Sequence, residues 1–243
     1  MKVLALDTST EACSAAIRLD DGTTFLRHAL TERSHADLIL PMVDEVLREV
    51  GLKLRQLDGL AFGRGPGGFT GLRIAAGVVQ GLAYGAGLQV APVSSLAAVA
   101  YLCSSGQAPQ GTRRAAGDGI LVCNDARMSE LYWACFRFDA GDPATPLALT
   151  AERVSAPQAV EPAAGVAHCA GNGLARYPEL RARFEATGLQ VHADIYPRAD
   201  AVAALGAAML ARGEGVEPAL AVPTYVRDDV ARPPSGSSVT GMS

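Results

Sequence analysis

Several things are scarce in these 243 residues, and each scarcity removes a class of protein. No apolar run approaches the roughly 18–20 uncharged positions that a membrane-spanning helix requires. Only 5% of the residues are aromatic and 19% charged, against 49% hydrophobic. A sizeable aliphatic core can therefore be buried, and global disorder is excluded. The cysteines Cys13, Cys103, Cys123, Cys135 and Cys169 are odd in number and form no C-x-x-C pair. That spacing fits neither a disulfide framework nor a structural zinc pattern, so all are expected to be reduced, mostly buried, small apolar residues. Before the acid Asp7 the chain offers Lys2 and the apolar stretch Val3 to Leu6, too short for a signal-peptide core. It reads better as a first strand, and a cytoplasmic location is expected. Positive charge is short as well: the net charge is −4, whereas a chain that grips nucleic acid by itself carries a basic face. Arg113–Arg114 and the group Arg176, Arg181 and Arg183 are the basic clusters, and they read as solvated surface.

The usual catalytic signatures are missing too. There is no G-x-x-x-x-G-K-[ST], no G-x-S-x-G and no S-x-x-K. His28, His35, His168 and His192 form neither H-x-x-x-H nor H-E-x-x-H, so no histidine-based metal site is expected. His35, at a helix start, reads as a cap or interface residue. Cys13 lies in a strand without an adjacent histidine, and no nucleophile–base pair is evident.

What is present alternates between two periods. Residues 2–7, 12–19 and 23–29 read as a strand meander, with Asp20-Asp21-Gly22 as a turn. Ile39, Met42, Val43, Val46, Leu47 and Val50 then recur at helical spacing, predicting a helix over 35–50 that stops at Gly51. Ser34 and Asp37 suggest a capping box, and Pro41 a bend. A strand over 58–63, a helix to about Tyr84, a strand over 88–93 and a helix over 94–102 follow. Residues 104–118 have almost nothing to bury and read as a linker. Beyond them the pattern restarts, with strands at 120–123 and 130–138, a third near 146–154 and another at 166–170. A helix over 178–187, a strand over 189–192 and a helix over 199–212 complete it. Residues 232–243 are tail-like. The expectation is an α/β protein of two similar subdomains, 1–103 and 119–231, each a mixed sheet flanked by helices.

Three loops could touch a ligand. Gly63, Gly65 and Gly68 satisfy G-x-G-x-x-G, but the Rossmann version needs an acid about 20 residues on, where this chain has Leu88-Gln89-Val90. Asp7, Thr8, Ser9 and Thr10 form a strand-to-strand turn whose hydroxyls and amides could cradle phosphate, with a carboxylate for hydrated magnesium. Asn124 to Arg127 occupies the same place in the second half. Paired loops of this kind clamp a nucleotide in actin-like folds, making Asp125, with Gly171 in a later turn, a candidate for the same cleft.

The run Gly65-Pro66-Gly67-Gly68-Phe69-Thr70-Gly71-Leu72-Arg73 is more specific than a generic glycine pattern. With Asp7-Thr8-Ser9-Thr10, Ser34-His35, Leu40-Pro41, Asp125-Ala126-Arg127 and Pro223 to Asp228, it resembles the TsaB (YeaZ) family of tRNA threonylcarbamoyladenosine biosynthesis, most strongly over residues 1–135. Gly68 departs from the serine more usual in that family. The resemblance implies the actin-like ATPase (ASKHA, ribonuclease H-like) fold and a cytoplasmic, non-catalytic role. The paralogue TsaD carries H-x-x-x-H after the strand following the glycine loop, where this chain has Ser95 and Val99. It further implies a TsaD-like catalytic subunit and a TsaE-like ATPase as partners, a homodimer in isolation, and tRNA contact only through the complex. No tightly bound cofactor or metal is implied, and at most weak ATP or ADP with magnesium. The family's partner helices map to 35–50 and 70–84, nominating Ile39, Met42, Val43, Val46, Leu72, Ala75, Val78 and Val79 as interface residues. The alternatives are a nucleotide-dependent transferase or kinase of the same fold and, less favoured for want of metal ligands, a metallopeptidase.

Overall fold

Short, nearly continuous apolar runs, buried at almost every position of β1 (Val3–Asp7), β2 (Ala12–Arg18) and β4 (Gly59–Gly65), build the first sheet. β1 (Val3–Asp7) pairs antiparallel with β2 (Ala12–Arg18), and β2 antiparallel with β3 (Thr24–Leu30). On its other edge β1 carries the parallel β4 (Gly59–Gly65), with β5 (Val90–Ser94) parallel beyond it. The second sheet repeats the plan. β6 (Gly119–Asp125) pairs antiparallel with β7 (Leu131–Phe138) on one side and parallel with β10 (Val166–Gly171) on the other, and β11 (Gln190–Ala193) lies beyond β10. With β8 (Pro146–Ala148) antiparallel to β7, the orders β3-β2-β1-β4-β5 and β11-β10-β6-β7-β8 are equivalent, as a duplicated unit requires. The structure, a computed structural model, describes residues 1–31, 34–105, 118–139 and 144–227; most of the linker at 104–118 and the tail at 232–243 lie outside the described residues.

One strand differs from expectation. The single strand near 146–154 is two short ones, β8 (Pro146–Ala148) and β9 (Arg153–Ser155), both paired with β7. Between them the Cys135 amide donates to the Thr150 hydroxyl at 2.9 Å rather than to a strand carbonyl, which interrupts the ladder.

Five layers result. α1 (His35–Val50) and α2 (Phe69–Ala86) cover one face of the first sheet, burying Ile39, Val46, Ala75 and Val79 against Leu4, Leu6, Leu60 and Phe62. Gly51 and Gly87 end these helices with φ of 68° and 69°, the left-handed closure that glycine adopts without strain. Ser34 is the N-cap of α1 but makes no side-chain capping bond, so the expected box does not form. α3 (Ser95–Ser105) and α6 (Ala199–Ala211) fill the space between the sheets, and the halves exchange them: α6 packs on the first sheet, α3 on the second. The alanine-rich surface of α6 permits close approach; a Cβ at Gly206 would stand 2.4 Å from that of Ala61. The short α4 (Gly173–Arg176) and α5 (Pro178–Ala186) cover the far face of the second sheet with Leu174, Leu180 and Phe184. All five cysteines are buried and outside disulfides.

Candidate functional site

The sheets present their equivalent turns, β1–β2 and β6–β7, to a shared cavity of about 640 Å³. Thr8, Ser9 and Thr10 line it from the first half and Asp125 and Arg127 from the second, with the glycine loop, His35 at the start of α1, and Tyr225 and Arg227. The sequence-derived nucleotide residues are thus mostly gathered. Asp7 and Gly171 are not among the lining residues.

Asp7 acts beneath the turn. Its Oδ1 accepts hydrogen bonds from the Ser9 amide (2.9 Å) and the Ser9 hydroxyl (2.8 Å). Its Oδ2 and the nearby Ser95 Oγ are buried and meet no partner at good hydrogen-bond geometry among the described residues, although the Ser95 hydroxyl lies close enough to favour the carboxylate weakly. Burial dominates and raises the Asp7 pKa from 3.8 to about 6, the Ser9 bonds and the neighbouring Ser95 hydroxyl only partly offsetting it. Gly63 makes room for the carboxylate, since a Cβ there would lie 1.9 Å from Oδ2. Gly171 is equally structural: at φ 122° it packs beneath β6, where a Cβ would meet the Cys123 carbonyl oxygen at 2.2 Å.

The glycine loop is zipped to the same turn. The Gly68 amide donates to Ser9 O at 2.8 Å, and the Thr8 hydroxyl to Gly71 O at 2.7 Å. A Cβ at Gly71 would stand 1.9 Å from Thr8 O, so this contact demands glycine. Two groups that could have faced a phosphate, the Gly68 amide and the Thr8 hydroxyl, are in this way spent between the loops. The cations are engaged too. Arg127 Nη2 donates to Glu11 at 2.7 Å, and Asn172 Nδ2 reaches the other Glu11 oxygen at 3.3 Å, so one carboxylate of the first half holds two groups of the second. Arg227 pairs with Glu130 and donates to Ala126 O. A second tie between the halves runs through Glu152, which accepts from Ser94 Oγ and from Arg64 at 3.2 Å.

Glu11, Glu152 and the C-terminal segment were missed by sequence reasoning. Glu11 directly follows the turn, a signal that could have found it; Glu152 lies 58 residues from Ser94 and offered none. Residues 223–227 carried the family resemblance without a role. The structure lays them across the glycine loop: the Thr224 amide donates to Arg64 O at 2.8 Å. Tyr225 and Phe69 rings sit 5.4 Å apart, and the Arg73 guanidinium lies 3.7 Å above Phe69. His35 Nε2 bonds Thr10 O at 2.9 Å, fastening α1 to the turn.

Two expectations meet observations that the sequence did not offer. Of the nominated interface residues, Ile39, Met42, Val43, Val46, Leu72, Ala75 and Val79 are buried within the chain itself, and only Val78 is partly exposed. The stripe belongs to the helices' own sheet. The outward face of α2 instead carries Arg73, Gly77, Gly81, Tyr84 and Gly85, and that of α1 carries Leu40. Tyr84 is 84% and Leu40 51% exposed, and a Cβ at Gly77, Gly81 or Gly85 would meet nothing within 4 Å. Second, His168 and His192, far apart in sequence, are neighbours on β10 and β11, with Cys103 beside them. A donor cluster therefore exists where spacing along the chain suggested none.

Comparison with known proteins places this architecture. Residues 29–231 match the family model described as "TsaD: tRNA N6-adenosine threonylcarbamoyltransferase". A "tRNA threonylcarbamoyladenosine biosynthesis protein TsaB" of Haemophilus influenzae is 48% identical over 134 residues, 55% of this chain and 53% of that protein. Its namesake in Escherichia coli is 36% identical over 238 residues, 95% of this chain and 96% of that protein. The match thus spans about half of the first relative and nearly all of the second. Among solved structures, "YeaZ from Pseudomonas aeruginosa" superposes with a TM-score of 0.77 at 37% identity, covering 92% of this chain and 99% of that one.

Proposed function

Because the chain belongs to the TsaB (YeaZ) family of tRNA threonylcarbamoyladenosine biosynthesis proteins, we propose that it is a non-catalytic partner subunit that binds and activates a TsaD-type catalytic subunit. The wider family model that it matches is itself that of TsaD, so partner and chain would be paralogues sharing the duplicated actin-like fold. In this reading the modification falls on the adenosine beside the anticodon, in the cytoplasm. tRNA reaches the chain only through the complex, a TsaE-type ATPase joins it, and the isolated chain pairs with itself. Among the described residues no helix is long and apolar enough to cross a membrane.

The observation that carries the partner role is the outer ridge of α2. Glycine inside a helix costs about 1 kcal/mol relative to alanine, and here Gly77, Gly81 and Gly85 recur at four-residue spacing on the exposed face. Nothing among the described residues requires them, since each has open space there where a Cβ would be. A helix surface so lowered admits a partner helix at close range, and the exposed Tyr84 beside it supplies a large amphipathic anchor. The non-catalytic reading is supported by α3, where Ser95 and Val99 stand fully buried at the positions that hold histidines in the catalytic paralogue. A valine side chain offers no ligand atom.

For the central cavity we favour at most weak ATP or ADP binding with magnesium. A phosphate entering it would have to compete with Glu11 for Arg127 and with Ser9 O for the Gly68 amide. The experiment that tests the whole reading is reconstitution: transfer of threonylcarbamoyl to tRNA measured with the chain alone, a TsaD-type subunit alone, and both together with the ATPase. Product that requires both paralogues is expected; product from the chain alone would reject the reading.

A further inference from the structure

We propose that Cys103, His168 and His192 form a zinc site that ties α3 to the second sheet. His192 is in register with Ala170, two residues along β10 from His168, so the two imidazoles stand on the same face of adjacent parallel strands. α3 packs on that face, and Cys103 lies near its C-terminal end. One ligand atom from each residue comes within 4.8 Å of the others, and the three side chains are buried, at 1%, 3% and 3% exposure.

The separations suit a small tetrahedral ion. His168 Nδ1 and His192 Nε2 share a hydrogen bond at 3.2 Å. A metal with nitrogen ligands at about 2.0–2.1 Å holds them about 3.3 Å apart at the tetrahedral angle, and a thiolate at about 2.3 Å then sits about 3.6 Å from each nitrogen. The two nitrogens thus stand near the separation a shared ion requires, and ligand atoms within 4.8 Å of one another would close by about 1.2 Å at most. On its far side His168 Nε2 faces Asp118 at 3.6 Å. A carboxylate there favours the proton on Nε2 and turns the Nδ1 lone pair inward, the arrangement that orients metal-bound imidazoles. One thiolate with two imidazoles is too soft a donor set for magnesium or calcium and suits zinc, with water completing the tetrahedron.

Binding balances simply. The Cys103 S–H bond breaks, an S–Zn bond forms, and that proton leaves to solvent. The imidazole that carried the proton between the rings shifts to the tautomer protonated on its outer nitrogen, and both rings stay neutral. Because Cys103 belongs to the first half and both histidines to the second, the ion adds a link between halves that Glu11 and Glu152 already join. The site is independent of the proposed partner role.

The test uses the full chain without a polyhistidine tag, stripped with a chelator and dialysed. Zinc affinity is measured by competition with a chromophoric chelator, and cobalt(II) serves as a spectroscopic substitute. One zinc per chain, a sulfur-to-cobalt charge-transfer band and a zinc-dependent rise in Tm are expected. Cys103→Ser should lose the band and bind zinc at least tenfold more weakly; should serine perturb folding, Cys103→Ala carries the same comparison. Failure to retain one zinc per chain, or an unchanged affinity and cobalt spectrum in the folded Cys103 variant, overturns the proposal.

Discussion

Replacing Asp7 by asparagine should make the protein more stable at neutral pH. The carboxylate is fully buried, and among the described residues its Oδ2 finds no well-formed hydrogen bond. Its folded pKa, raised to about 6 from the ordinary 3.8, says that folding prefers the neutral acid. At 1.36 kcal/mol per pH unit that gap is worth about 3 kcal/mol. The sign follows from linkage. A raised folded pKa contributes stability that is fully present below pH 3.8 and is lost as the pH climbs through about 6. Asparagine keeps the oxygen that accepts both Ser9 bonds, carries no charge, and places an amide donor near the Ser95 hydroxyl oxygen. Urea unfolding of both proteins at intervals from pH 4 to 8 isolates the residue, because every other titrating group cancels in the difference. The wild type should lose roughly 2–3 kcal/mol relative to Asp7→Asn across that range. A difference that stays flat with pH, or an asparagine variant that grows less stable as pH rises, would refute the buried-acid account.

The glycines of α2 should divide by position. Gly71→Ala drives a methyl into Thr8 O and should cost about 1–3 kcal/mol or more, whereas Gly77→Ala, with open space around it, should add about 1 kcal/mol; thermal melts of both variants read the contrast. Calorimetry with ATP and ADP in the presence of magnesium should show weak binding or none, because the Gly68 amide, Arg127 and Arg227 are already engaged with Ser9, Glu11 and Glu130. Tight binding would show that these internal contacts yield to phosphate and would overturn that expectation.

The sequence was most legible where one physical rule acted alone. Alternation located the strands from β1 to β7 within a residue or two, and the stripe from Ile39 to Val50 set α1 to the residue, with Gly51 closing it. The restart of the strand pattern beyond residue 118 disclosed the repeated sheet plan. Legibility failed where partners come from distant segments. A helical stripe shows that a face is buried but not against what, so residues packed on the chain's own sheet were read as a partner surface, while the glycines of the outer ridge carry no hydrophobic signal. Asp7 and Gly171 were placed in the cleft because their turns are equivalent; the register of the strands put both beneath it. His168 and His192 meet only through the parallel pairing of β10 with β11, and Cys103 only because α3 crosses to the other half's sheet.

The partner role is tested most directly by the affinity of the full chain for a purified TsaD-type catalytic subunit, compared between wild type and Gly81→Arg. Arginine has better helix propensity than glycine and meets open space in the isolated chain, so the variant should melt at or above the wild-type temperature. On the proposed ridge it would hold a partner helix away. A loss of affinity of a hundredfold or more, about 2.8 kcal/mol, with a parallel fall in tRNA threonylcarbamoylation, is the predicted result. A folded Gly81→Arg variant that binds the catalytic subunit as tightly as wild type would contradict the ridge as the partner surface.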